Sequence, residues 1–136
     1  MASIFTKIIN REIPCYFLAE NEYCFSFLDI KPLAKGHALV IPKMELDYFF
    51  DLPDDILNQL MVFSKRMAHA IKQTVPCTKV GMSVIGLEVP HAHIHLVPLN
   101  AISELNFSNT RLQFTEAEYS DLAREIQKNY NSVSSL

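Results

Sequence analysis

The 136-residue chain has no tryptophan, only three glycines and three cysteines, and no surplus of positive charge. Each scarcity excludes something. With 49% hydrophobic residues and so little glycine, a flexible low-complexity protein is ruled out, and one globular domain over residues 1–136 is expected. Cys15, Cys24 and Cys77 are odd in number and show neither zinc-finger nor redox-motif spacing, so they read as reduced packing residues. That points to the cytoplasm. No run approaches the roughly 18 apolar residues of a membrane span, and the amino terminus lacks the basic, apolar and small-residue segments of a secretory signal. A membrane partner is not expected. Twelve lysines and arginines against fifteen acids, net charge −3, argue against a nucleic-acid partner, whose binding rests on many cationic contacts. A small phosphorylated ligand stays open.

What is abundant is histidine, in one place. Three of the five histidines fall within Pro90-His91-Ala92-His93-Ile94-His95-Leu96-Val97. The alternation with aliphatic spacers predicts a strand over 91–97, with His91, His93 and His95 on one face and Ala92, Ile94 and Leu96 on the other. One face is imidazole, the other is core. Each ring placed against protein must satisfy two nitrogens, so a row of three argues for chemistry rather than packing. Two chemistries fit: metal ligation and attack on phosphorus.

Strand geometry weakens the first. Residues two apart are separated by about 6.7 Å, so one ion at about 2.0–2.1 Å from each nitrogen could take two neighbouring rings but hardly all three. A further ligand such as His37 would be required, and no Cys-x-x-Cys pair supplies one. Imidazole, by contrast, has a pKa of about 6.5 and attacks phosphorus near neutrality without a separate base. Neighbouring rings can then neutralise phosphate charge or protonate a leaving group.

The heptapeptide His91 to Val97 resembles the signature of the histidine-triad (HIT) family, His-x-His-x-His followed by two apolar residues. Ile4-Phe5-Thr6-Lys7-Ile8-Ile9, Glu12-Ile13-Pro14, Phe27-Leu28-Asp29-Ile30 and Gly36-His37-Ala38-Leu39-Val40-Ile41-Pro42-Lys43 resemble the family's amino-terminal half, in its order. The resemblance extends over roughly residues 3 to 100. It implies a purine nucleotide substrate, with Phe5, Ile8 and Ile13 as one wall of the base pocket and Phe27, Leu28 and Ile30 beside it. Asp29 would accept from the two ribose hydroxyls. His93 would be the nucleophile at the α-phosphorus and form a covalent nucleotidyl-histidine. His95 and His37 would contact the phosphate oxygens, and His91 would hold the nucleophile's orientation. Histidine at the third position implies water as acceptor. The resemblance also implies a homodimer, with no metal and no other cofactor.

The rest of the chain suggests an α+β fold: an antiparallel sheet of about five strands, one long covering helix and a carboxy-terminal helix. Ile4, Phe5, Ile8 and Ile9 predict a short helix stopped before Pro14. Cys15–Ala19 and Tyr23–Leu28, around the polar Glu20-Asn21-Glu22, predict a hairpin. Gly36–Lys43 and Lys79–Ile85 predict further strands, with Gly86 as a turn. Pro53-Asp54-Asp55 opens an amphipathic helix that Pro76 stops. Thr115 and Glu118 form a capping box at the head of a helix over about 115–130, while 100–114 is a polar loop without an assigned role.

One segment departs from the family pattern. Where relatives carry a Gly-Gln-Ser-like run before the first triad histidine, this chain has Gly86-Leu87-Glu88-Val89. An ionised Glu88 at the leaving group would repel an anionic phosphate and tolerate a protonated amine, favouring phosphoramidates over dinucleoside polyphosphates. Two alternatives remain: a non-catalytic nucleotide-binding or scaffolding module, and a metal-binding protein.

Overall fold

A computed structural model describes residues 2–133. A five-stranded sheet is the frame, comprising β1 (Phe17–Glu20), β2 (Cys24–Leu28), β3 (Ala38–Pro42), β4 (Lys79–Ser83) and β5 (Ile94–Leu99), in the spatial order β1-β2-β3-β5-β4. Every neighbouring pair is antiparallel. Three helices join it: α1 (Ile4–Ile9), α2 (Asp54–Thr74) and α3 (Glu116–Ser132). The expected α+β architecture is therefore present.

The hairpin turns on Asn21, whose side-chain oxygen accepts from the Tyr23 and Cys24 N–H groups. On β2, β3 and β5 the pleat sorts side chains between two cores. Leu28, Ala38, Val40, Ile94 and Leu96 pack with α2 and α3 residues such as Leu60, Met67, Leu122 and Ile126. Phe25, Phe27, Leu39 and Ile41 face the other way and are covered by Phe5 and Ile8 of α1. His95 sits opposite Leu39 in the register, on that second face. The Thr115–Glu118 capping box heads α3 as expected. Cys15, Cys24 and Cys77 are free, and among the described residues no helix is long and apolar enough to cross a membrane.

Of the strand boundaries that differ from the sequence expectation, two bear on the site. β4 stops at Ser83, opposite His95, instead of running to Ile85. The ladder of β5 begins at Ile94 and leaves His91–His93 outside it. Proline explains the second difference. Continuing the β3–β5 register past Val40–Ile94 would bring the pairing to Pro42, which has no N–H to donate. The Ala92 N–H bonds instead to the Leu46 carbonyl at 2.7 Å. Alternation survives without the ladder, since Ala92 lies in the helix-side core while His91 and His93 are buried on the opposite face.

Gly36 shapes the entry to β3. Its φ of +93° lies in the left-handed region, and a Cβ there would stand 3.0 Å from Val75 Cγ2. The chain can thus turn tightly just before His37.

Candidate active site

His37 precedes β3 and His95 lies within β5, so neighbouring strands bring the two rings together. His37 Nε2 is 3.0 Å from His95 Nδ1. The Leu33 N–H donates to His37 Nδ1 at 2.9 Å, so that nitrogen must be unprotonated. The neutral His37 ring therefore carries its proton on Nε2 and donates to His95 Nδ1. His95 in turn keeps its proton on Nε2.

The same logic applies to the other two rings. His93 Nδ1 is 2.7 Å from the His91 carbonyl, which can only accept, so neutral His93 has its lone pair on Nε2. His91 Nε2 donates to the Pro42 carbonyl at 2.8 Å, and the Ser3 hydroxyl donates to His91 Nδ1 at 2.8 Å. Main-chain groups of fixed polarity thus set all four tautomers. His93 presents a nucleophilic nitrogen, and His95 beside it, with ring centroids 4.9 Å apart, presents a donor.

Burial holds His37, His95 and His91 toward the uncharged form. It is the largest cause lowering His37 to about 3 and His95 to about 4, and it also lowers His91. The neighbouring imidazoles and Arg111 push His37 and His95 the same way. Burial raises Asp29, opposed by the Lys31 N–H and by the charges of Arg111 and His93. Asp29 Oδ1 accepts from that N–H at 2.8 Å, and Oδ2 lies 3.5 Å from His37 Nε2.

Most of the expected residues converge. The Phe5 ring stands edge-on to His93, His91 and Phe27, at centroid distances of 5.1, 5.7 and 5.6 Å. Ile8 and Phe27 share its cluster, and Ile13 and Val89 pack against it. Leu28 does not join them, because the next residue along a strand faces the opposite side; it lies in the helix-side core. Ile30 is 67% exposed, immediately after Asp29. Glu88 is exposed, and its charge is felt at Asp29, raising that carboxyl. His37 differs from expectation: it is fully buried with both nitrogens engaged, so it reaches the site through His95. A cavity of about 250 Å³ opens beside His93, walled by Tyr48, Phe49, Phe50, Ile85 and Leu87.

The loop after β5, which carried no assigned role, closes over the histidines. The Phe107 ring is 4.7 Å from His95 and 6.2 Å from His37. Arg111 donates to the carbonyls of Lys31 and Phe107, and the Leu112 N–H donates to that of Pro32. Nothing in the polar, aperiodic 100–114 stretch signals this contact. Ser3, Thr6 and Glu45, around His91, were also not singled out; only Ser3 carried a signal, as a serine directly before an apolar helical run.

Asp29, His37 and His95 could each offer a metal-ligating atom, all within 4.8 Å of one another. Two of these atoms already share the His37–His95 hydrogen bond. A cation would have to replace that bond and strip the proton from His37 Nε2.

A family model of the HIT domain matches residues 10–102. The chain belongs to the HIT family. This HIT protein is 44% identical over 98 residues to the adenosine 5'-monophosphoramidase HNT1 of Saccharomyces cerevisiae, a match covering 71% of this chain and 62% of that relative. It therefore spans less than two thirds of the yeast enzyme's length. It is 30% identical over 134 residues to an uncharacterized HIT-like protein of Borreliella burgdorferi, covering 93% and 96% of the two chains. Among solved structures it resembles a hypothetical histidine triad nucleotide-binding protein of Sulfolobus tokodaii, at TM-score 0.80 and 27% identity over 94% of this chain and 91% of that one.

The buried imidazoles make stability depend on pH in a defined direction. Folded His37 and His95 titrate at about 3 and about 4, below the ordinary 6.5, so between these values the unfolded chain binds more protons. Their contribution is complete above pH 6.5 and is lost as the pH falls toward about 4 for His95 and about 3 for His37. Denaturant titrations over that range should show stability falling with acid, and the slope should be shallower in His37→Asn.

Proposed function

We propose that this protein hydrolyses purine nucleoside 5'-phosphoramidates at the α-phosphorus through a covalent nucleotidyl-histidine on His93. The observation that carries the reading is the 2.7 Å bond from His93 Nδ1 to the His91 carbonyl, which leaves the Nε2 lone pair for attack. In the first step the Nε2–P bond forms, the P–N bond to the amine breaks, and the leaving nitrogen takes up a proton from solvent and departs as the amine. Water then attacks phosphorus, releases the nucleoside monophosphate and returns His93. The His91 carbonyl holds the Nδ1 proton throughout and stabilises the cationic ring of the intermediate.

The other groups take supporting parts. His95 Nε2–H donates to a phosphoryl oxygen as negative charge develops there. His37 holds His95 in the tautomer that can do so. Asp29 retains acceptor capacity for the ribose hydroxyls, and the Phe5, Ile8 and Phe27 cluster gives a flat base an apolar wall. The yeast relative's name is consistent with this substrate class. We also propose that the chain acts as a homodimer. Edge strand β4 and helix α2 carry the exposed apolar residues Met82, Met61 and Val62, and Val84 follows just beyond the strand. Exposed apolar side chains together with an unpaired sheet edge favour a second copy.

Brief cold incubation with an adenosine phosphoramidate should add the mass of one nucleotide to the protein. In His93→Ala that adduct should vanish and turnover fall by about 10³-fold or more, with nucleotide binding retained. Normal turnover in this variant, or wild-type binding with neither adduct nor release, would remove the mechanism.

Glu88 should bias the leaving group. Glu88→Gln is expected to lower the ratio of phosphoramidate to diadenosine tetraphosphate hydrolysis; an unchanged ratio would discard the idea.

Sedimentation should return twice the 15.5 kDa chain mass, and Val62→Glu should move it toward the single-chain value. A wild-type protein that sediments as one chain would exclude the dimer.

A further inference from the structure

The main chain of His91–His93 carries the bond that orients the nucleophile, yet it lies outside the sheet ladder. Something else must hold it. The Leu46 carbonyl takes the Ala92 N–H, and the Pro42 carbonyl takes His91 Nε2–H. The remaining restraint comes from the amino terminus. The Ser3 hydroxyl accepts from the Thr6 N–H, as the cap of α1, and lies 2.8 Å from His91 Nδ1. Thr6 Oγ1 and the Ser3 N–H each donate to Glu45 Oε1 at 2.6 Å.

Proton counting makes this arrangement directional. A serine hydroxyl has one proton, and Thr6 Oγ1, 3.3 Å away, competes with His91 for it. Glu45 can only accept, so it draws the Thr6 proton to itself and keeps the Thr6 N-cap contact and the Ser3 N–H in register. The Ser3 proton then serves the closer partner, His91 Nδ1. Glu45 thus anchors the Ser3 N–H and the Thr6 hydroxyl, which frees the Ser3 proton for His91, whose carbonyl holds His93.

Resting on the function proposed above, we infer that Ser3, Thr6 and Glu45 are positioning residues for the reaction, holding His91 so that its carbonyl keeps His93 in the attacking tautomer. Their side-chain contacts run to His91 and to one another. The main-chain Ser3 N–H bond, followed by the Thr6 bond, holds the Glu45 carboxyl well below its ordinary range, at about 2, so the acceptor stays ionised at neutral pH. The same short helix presents Phe5 and Ile8 to the proposed base wall. A merely structural role would therefore appear in nucleotide binding, while a positioning role appears in turnover.

The test compares wild-type protein with Ser3→Ala, Ser3→Thr and the exposed-site variant Glu45→Ala, using adenosine phosphoramidate kinetics and ring nitrogen NMR. In Ser3→Ala and Glu45→Ala, kcat should fall about tenfold to a hundredfold while KM changes little, the usual scale for a misplaced reacting group. Ser3→Thr, which keeps the hydroxyl, should recover most of the loss. In the spectra the wild-type His93 ring should be protonated on Nδ1 alone, and both alanine variants should show a mixture with the Nε2–H form. An unmoved His93 ring in both variants overturns the inference, as does a raised KM with kcat unchanged. If the wild type shows no turnover, the functional reading fails by itself and the His93 ring decides the positioning role.

Discussion

The site depends on one constraint: a main-chain carbonyl can accept a hydrogen bond but never donate one. The His91 carbonyl facing His93 Nδ1, and the Pro42 carbonyl facing His91 Nε2, leave each neutral ring a single tautomer. The Leu33 N–H does the converse for His37, and through it for His95. Since burial keeps His37, His95 and His91 neutral near pH 7, these polarities persist where an exposed imidazole would interconvert. One lone pair and one N–H are presented side by side as a result.

The sheet makes that arrangement affordable in stability. Four polar rings on one face would weaken a core that relied on that face, but β3 and β5 send Ala38, Val40, Ile94 and Leu96 the other way, against α2 and α3. Chemistry and the larger hydrophobic core are separated by the pleat. The smaller cluster around Phe5 and Phe27 has the opposite character, since it lies against the histidines and covers them. One short helix therefore shields the imidazoles from water and supplies the Ser3 contact that restrains His91.

Much of this was legible beforehand because it rests on periodicity. Alternation placed the three histidines opposite Ala92, Ile94 and Leu96, and the same pleat that sets them apart removes Leu28 from the site that Phe27 and Asp29 border. The capping box of α3 and the helix opened at Pro53 follow from local chemistry. The triad strand is entered later than its alternation predicts for a reason outside the triad: its partner at the end of β3 is Pro42, which cannot donate.

By itself, then, the order of residues determined the two-faced triad strand, the elements flanking it and the family to which the chain belongs, because side-chain alternation and capping act over a few positions. Only tertiary structure decided which nitrogen of each ring holds the proton, that His37 works from behind His95, and that Phe107, Arg111, Ser3 and Glu45 gather at the site. These contacts join groups far apart in the chain, such as Ser3 with His91 and Arg111 with Lys31. Their partners are chosen by the packing of whole elements, which no local pattern encodes.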